Sequence, residues 1–311
     1  MKHFIILAIG ILPIVTLSGQ NSKSMQDFIY PYPVHQITLS NGVELAYIDE
    51  GKGDFTLLFI HGLGSYLPAW KKNITELSTQ YRCIGLDLPG YGKSDKGDHT
   101  YNMSFFANII RAFITHLQLE RVVLVGHSMG GQIAITAVLQ QPNIAERLVL
   151  VAPAGFETFR EEEAQWLRNI YNPLMLKATS VEQIRRNFEL NFVQFPEDAE
   201  FMYEDRIYMR ETEEYDRYCH MIPKCVASML DEPVFQRLNE LRLPVLVVYG
   251  EADALIPNRF LHPKLTTQTV AEIGAKSIPN SQLILLPQAG HFVQWEQARL
   301  LNEAIKAFLT P

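Results

Sequence analysis

The chain has 311 residues, 47% of them apolar and 20% charged, with a formal net charge of −7 at pH 7. That length holds one large α/β domain or two ordinary ones, and the composition is that of a globular protein with ample core. The acidic balance tells against a nucleic-acid surface.

Lys2 precedes an apolar run of 14 residues, Phe4 to Leu17, which gives way to the small and polar residues Ser18 to Ser22. This is the layout of a secretory signal peptide, expected to span residues 1–20. The run is short for a membrane-spanning helix, so no stable membrane anchor is expected. The protein is expected to be exported, with its mature chain beginning between residues 19 and 23. No cysteine follows the run, which disfavours a lipid anchor. Of the three cysteines, Cys83 sits in an apolar stretch and reads as buried and inert. Cys219 and Cys225 are candidates for a bridge in an oxidising compartment. No Cys/His spacing suggests a metal site, and no cofactor is expected.

Beyond the leader, Asn41-Gly42 between Ile37–Leu39 and Val43–Tyr47 predicts a hairpin. Phe55 to Ile60 is a continuous apolar strand of the kind buried on both faces, and it ends in His61-Gly62-Leu63-Gly64. A helix from Trp70 to Gln80 follows, with Lys71-Lys72 on a solvated face. Next comes a strand from Arg82 to Leu86, ending in Asp87-Leu88-Pro89-Gly90-Tyr91-Gly92. A helix over Ser104–Leu117 leads to the run Val122-Val123-Leu124-Val125-Gly126-His127-Ser128-Met129-Gly130-Gly131, then to another helix and to a strand at Arg147–Val151. Strands alternating with helices of this length predict a mostly parallel sheet flanked by helices. From 155 to 240 strand-like runs vanish and aromatics and acidic clusters crowd in, which predicts an inserted helical cap between core segments 21–154 and 241–311. Most of its aromatics are expected to pack between helices, and its acidic clusters to be solvated. The sheet resumes at Pro244–Tyr249, followed by Gly250-Glu251-Ala252-Asp253. A strand at Gln282–Leu286 leads to Gly290-His291, and a closing helix spans Gln294–Leu309.

Ser128 sits at the apex of a strand–turn–helix with the spacing Gly-x-Ser-x-Gly. Gly126 and Gly130 let strand and helix pass close on either side of it. A serine hydroxyl needs a base to take its proton, and the base needs a carboxylate to orient it. Ends of parallel strands converge on one sheet edge, where ligands bind. The Val245 strand brings Asp253 there and the Gln282 strand brings His291. The rival acid Glu251 lies nearer its strand end, and Asp87 reads as a turn-fixing residue. Among rival bases, His127 is expected to brace the elbow, His61 to hold its own loop, and His220 to be structural. The oxyanion of an acyl-transfer intermediate needs two backbone N–H donors. Met129 supplies one. Leu63, in a loop that Gly62 and Gly64 allow to turn inward, supplies the other.

These motifs, spanning about residues 35 to 309, resemble those of the α/β-hydrolase superfamily with a helical cap. The resemblance implies a triad of Ser128, Asp253 and His291. Ser128 in place of aspartate separates the chain from the superfamily's epoxide hydrolases and haloalkane dehalogenases. The Gly-His-Ser-Met-Gly-Gly elbow is similar to those of esterases, monoacylglycerol-lipase-like enzymes and carbon–carbon bond hydrolases alike. The expected activity is serine hydrolysis of a small, apolar carboxylic ester. Alternatives are carbon–carbon bond hydrolysis by the same triad, which an export signal disfavours, and a non-catalytic binding protein of this fold, which the complete triad disfavours.

Overall fold

A computed structural model describes residues 22–310. The expected signal peptide therefore lies outside the described residues. Eight strands form one sheet: β1 (His35–Thr38), β2 (Glu44–Glu50), β3 (Thr56–Ile60), β4 (Arg82–Leu86), β5 (Val122–His127), β6 (Arg147–Val151), β7 (Val245–Gly250) and β8 (Ser281–Leu286). Their order is β1-β2-β4-β3-β5-β6-β7-β8. β2 runs antiparallel to both β1 and β4, and every pairing from β4 to β8 is parallel. The Asn41-Gly42 hairpin forms as expected, with Gly42 at φ +84°.

The central strands are largely apolar because both faces of the sheet are covered there, whereas the edge strand β1 (His35–Thr38) is mostly exposed and polar. Leu58, Leu124, Leu148 and Val247 point into one core layer, while Leu57, Val123, Val149 and Leu246 point into the other. Successive side chains alternate between faces, so a continuous apolar strand feeds two cores at once. The helices α1 (Lys71–Leu77), α2 (Met103–His116), α3 (Met129–Gln140), α9 (Thr267–Lys276), α10 (Val293–Glu296) and α11 (Ala298–Leu309) flank the sheet. Between β6 and β7 lie α4 (Glu161–Ile170), α5 (Pro173–Ala178), α6 (Val181–Glu189), α7 (Glu200–Met209) and α8 (Tyr215–Asp231). These five helices, the insertion between β6 and β7, lie within the stretch from which strand-like runs vanish in the sequence.

Four details depart from the sequence reading. The closing helix is two helices, because Gln297 leaves the helical region at φ −119°, ψ 40°. α9 had no counterpart among the predicted elements. Thr266 caps it by accepting from the Thr269 N–H, and Val270, Ala271, Gly274 and Ala275 form its buried stripe. Glu163 is not a solvated member of its acidic cluster: it is buried and contacts Arg160 and His262. Cys219 and Cys225 are free, buried thiols on α8. Six residues of helix separate their Cα atoms by about 9 Å, beyond the span of a disulfide.

Candidate active site

Ser128 ends β5 and precedes α3 with φ +52° and ψ −119°. Such angles are costly for a residue with a Cβ and persist only where the surroundings enforce them. Here its N–H donates to Val151 O at 3.0 Å, and its carbonyl accepts from Gly131 N at 2.9 Å and Ala154 N at 3.0 Å. The turn is also tightly enclosed. A Cβ on Gly130 would sit 2.6 Å from His61 O, and one on Gly126 would sit 2.6 Å from the Gly130 carbonyl carbon. The hydroxyl of Ser128 makes no hydrogen bond among the described residues.

Asp253 follows β7 and is fully buried. Its Oδ1 accepts from Leu255 N at 2.8 Å and Ile256 N at 3.0 Å, which fixes the carboxylate. Its Oδ2 lies 2.8 Å from His291 Nδ1. Glu251, the rival acid, is exposed. With Nδ1 committed to Asp253, the imidazole keeps Nε2 for a partner at the sheet edge. No hydrogen bond joins Nε2 to Ser128 here, so of the expected Asp–His–Ser chain the structure forms the Asp–His half. Catalytic hydrogen bonds of this kind are commonly loose without substrate.

The two proposed oxyanion donors are unspent: neither Leu63 N–H nor Met129 N–H has an acceptor among the described residues. Leu63 lies in the loop after β3, and Met129 begins α3, whose N-terminal dipole favours negative charge at that spot. Gly62 is required for a packing reason, since a Cβ there would meet His127 Nδ1 at 2.9 Å and Ser128 Cβ at 3.0 Å. Gly64 adopts φ +66°. His61 holds its loop as expected: Nδ1–H donates to Gly62 O at 2.9 Å and Nε2 accepts from Leu88 N at 3.1 Å. Asp87 fixes its turn by accepting from Leu67 N and Lys93 N, both at 2.8 Å. His220 is exposed, with its Nδ1 on Asp216 O of its own helix.

His127 does more than brace the elbow. Its Nε2–H donates to the backbone carbonyl of His291 at 3.0 Å, 164 residues away. Burial, and next the nearby His291, hold the His127 imidazole well below its ordinary value of 6.5, and burial likewise lowers His61. Both therefore hold fewer protons in the folded protein than their unfolded counterparts, which take up protons below about pH 6.5. The unfolded state then binds more protons, so stability falls as pH drops from about 6.5, by up to ~1.4 kcal/mol per pH unit for each ring. Glu157, Asp205 and Glu296, which burial raises above the ordinary carboxylate range, act with the opposite sign lower in that window. Urea unfolding at pH 7, 6 and 5 is expected to show this loss, with a shallower slope in His127→Gln. An unchanged slope in that variant overturns the assignment.

Beside the loop that follows β3 lies a narrow cleft, lined by Gly64, Tyr66 and Tyr91 of the core and by Phe188, Met202, Arg206 and Tyr218 of the insertion. Phe292, next to His291, also lines it, although Ser128 does not. Arg206 donates to the carbonyl of Gly64 and lies over the rings of Tyr218 and Phe188. The Ser65 hydroxyl is buried without a partner among the described residues. Among the described residues no group of three or more His, Cys, Asp or Glu side chains is placed to hold a metal ion. Sequence reasoning did not find Arg206. It sits in a helix whose weak periodicity gives no cue to the loop it touches.

Comparison with known proteins agrees with this architecture. The alpha/beta hydrolase fold family matches residues 56–298. The chain is 30% identical to the uncharacterized hydrolase YugF of Bacillus subtilis (strain 168), over 89% of this chain and 98% of that one. It is 28% identical to a 2-hydroxy-6-oxononadienedioate/2-hydroxy-6-oxononatrienedioate hydrolase of Paraburkholderia phymatum, over 87% and 93% of the two chains. Among solved structures it resembles a probable hydrolytic enzyme of Pseudomonas aeruginosa PAO1, with a TM-score of 0.80 and 26% identity over 92% and 96% of the chains. From the matched span and the sheet order together, the chain belongs to the α/β-hydrolase family.

Proposed function

We propose that the protein hydrolyses carboxylic esters through an acyl-enzyme on Ser128. The observation that carries this reading is the buried Asp253–His291 pair at 2.8 Å together with Ser128 held at φ +52° at the end of β5. In this mechanism Ser128 Oγ attacks the ester carbonyl as His291 Nε2 takes its proton. The developing oxyanion accepts from the Leu63 and Met129 N–H groups. Collapse expels the alcohol, which takes the proton from the imidazole. Water, deprotonated by the same imidazole, then attacks the acyl carbon, and collapse of that adduct frees the acid and restores the serine. Helices α4–α8 act as the cap, and the largely apolar cleft beneath them receives the acyl chain.

The test is a series of p-nitrophenyl esters of increasing acyl length. Each methylene the cleft buries is worth about 0.8 kcal/mol, or up to roughly fourfold in kcat/KM. We expect a rise over the first few carbons and a fall once the chain outgrows the cleft. A flat profile would remove the cleft from the acyl site.

A second reading, carbon–carbon bond hydrolysis, has the relative from Paraburkholderia phymatum in its favour. Turnover of a 2-hydroxy-6-oxo-dienoate with no turnover of any p-nitrophenyl ester would select it.

A further inference from the structure

The segment carrying His291 is pinned at three consecutive residues. The His291 carbonyl is held by His127. The N–H that follows, of Phe292, donates to Asn191 O of the insertion at 2.9 Å. The N–H that precedes, of Gly290, donates to Glu296 Oε2 at 2.7 Å. The other oxygen of Glu296 reaches the insertion, accepting from Val193 N at 2.8 Å and Gln194 N at 3.5 Å. One half-buried carboxylate thus bridges the backbone of the His291 loop and the backbone of the insertion.

The contact surface around this bridge is close-fitting. A Cβ on Gly290 would sit 2.7 Å from Asn191 O. The Phe192 and Phe292 rings meet at 5.2 Å. Trp295 Nε1 donates to Asp198 at 2.8 Å, and Lys72 closes the group by pairing with Asp198 at 2.7 Å and lying over the Trp295 ring. Lys72 is therefore a tie between core and insertion rather than part of a solvated face. A carboxylate suits the bridging position because the three groups that bond it there, the N–H groups of Gly290, Val193 and Gln194, are all donors. Ionised, it is an acceptor at both oxygens, and hydrogen bonds to a charged acceptor are the stronger kind.

We propose that Glu296 is a positioning residue: it locks the His291 loop to the insertion segment 191–194, so that seating of the insertion over a substrate and placement of the imidazole are one event. The inference rests on the reading of His291 as the base. It makes the insertion part of the catalytic alignment as well as a wall of the cleft. Displacing the insertion would pull on Gly290 and Phe292, the two neighbours of the base. A displacement near 1 Å at a base is enough to cost about 100-fold in rate.

The test is Glu296→Gln in the full-length protein, with Lys177→Ala as a control. Lys177 pairs with Asp216 between two insertion helices, away from the His291 loop. Glutamine keeps the size but offers one acceptor oxygen, so its amide N–H₂ must face a backbone N–H. We expect kcat for a p-nitrophenyl ester to fall roughly 10–100-fold, with KM changed less than about threefold. The control should keep its kcat. The imidazole Nδ1–H proton of His291, hydrogen-bonded to Asp253, should shift or broaden in the proton NMR spectrum of Glu296→Gln and stay in place in the control. If Glu296→Gln does not fold, Glu296→Asp, whose shorter carboxylate cannot reach both sides, is measured the same way. The proposal is overturned if kcat and the Nδ1–H resonance match wild type, or if only the unfolding temperature changes. An enzyme inactive on every ester defeats the ester reading alone, because the resonance still reports whether Glu296 sets the imidazole.

Discussion

Ser128→Ala is expected to lower kcat for ester hydrolysis by roughly 10⁴–10⁶-fold, by analogy with measured triad deletions. In the proposed mechanism the Ser128 Oγ is the atom that forms the acyl bond. The variant should fold normally. The Ser128 hydroxyl makes no hydrogen bond in the structure, and alanine can take the same strained turn that the Val151, Gly131 and Ala154 backbone bonds enforce. Loss of activity with unchanged unfolding therefore separates chemistry from stability. An organophosphonate ester should add covalently to the wild-type protein, and peptide mass mapping should locate it on Ser128. If hydrolysis persists in Ser128→Ala, or the adduct maps elsewhere, the nucleophile assignment fails and the mechanism built on it fails too.

Asp253→Asn is expected to cost about 10⁴-fold in kcat. The reason can be followed atom by atom. Oδ1 of Asp253 accepts two backbone N–H groups, from Leu255 and Ile256, while Oδ2 faces His291 Nδ1. Asparagine has one acceptor oxygen. If that oxygen stays on the two backbone donors, the amide N–H₂ points at Nδ1 and forces the ring proton onto Nε2. A protonated Nε2 cannot take the proton of Ser128. If the amide turns the other way, two backbone donors lose their acceptor, the buried Ile256 N–H at about 1–3 kcal/mol. The first arrangement is the less costly, so the variant should be well folded and slow. Glu251→Gln, in the rival position, should change kcat by less than about twofold, since that side chain is exposed. Equal losses in the two variants would return the acid assignment to Glu251.

Much of this arrangement is legible in the sequence because it is carried by local signals. A strand buried on both faces is apolar at nearly every position, so β3, β5 and β7 stand out as near-continuous runs and their order in the chain gives the parallel core. The Gly-x-Ser-x-Gly spacing is legible because a tight strand–turn–helix leaves no room for Cβ atoms on either side of the serine. The same logic brings Asp253 and His291 to one edge, since parallel strands end there together.

The sequence could not supply what depends on backbone groups far away in the chain. His127 spends its Nε2–H on the His291 carbonyl, Glu296 divides its oxygens between Gly290 and the insertion, and Arg206 reaches the Gly64 carbonyl. A carbonyl or N–H is present at nearly every position, so it leaves no residue type to match, and these partners emerge only when the chain is folded. The break at Gln297 was hidden for a related reason. The amphipathic pattern runs on across it, while the turn is set by tertiary packing of Trp295 and Glu296 against the insertion. Sequence thus determined the core sheet and the three residues offered for chemistry. The tertiary structure decided which acid meets the histidine and where the insertion meets the His291 loop, because both depend on hydrogen bonds between segments that only the fold brings within 3 Å.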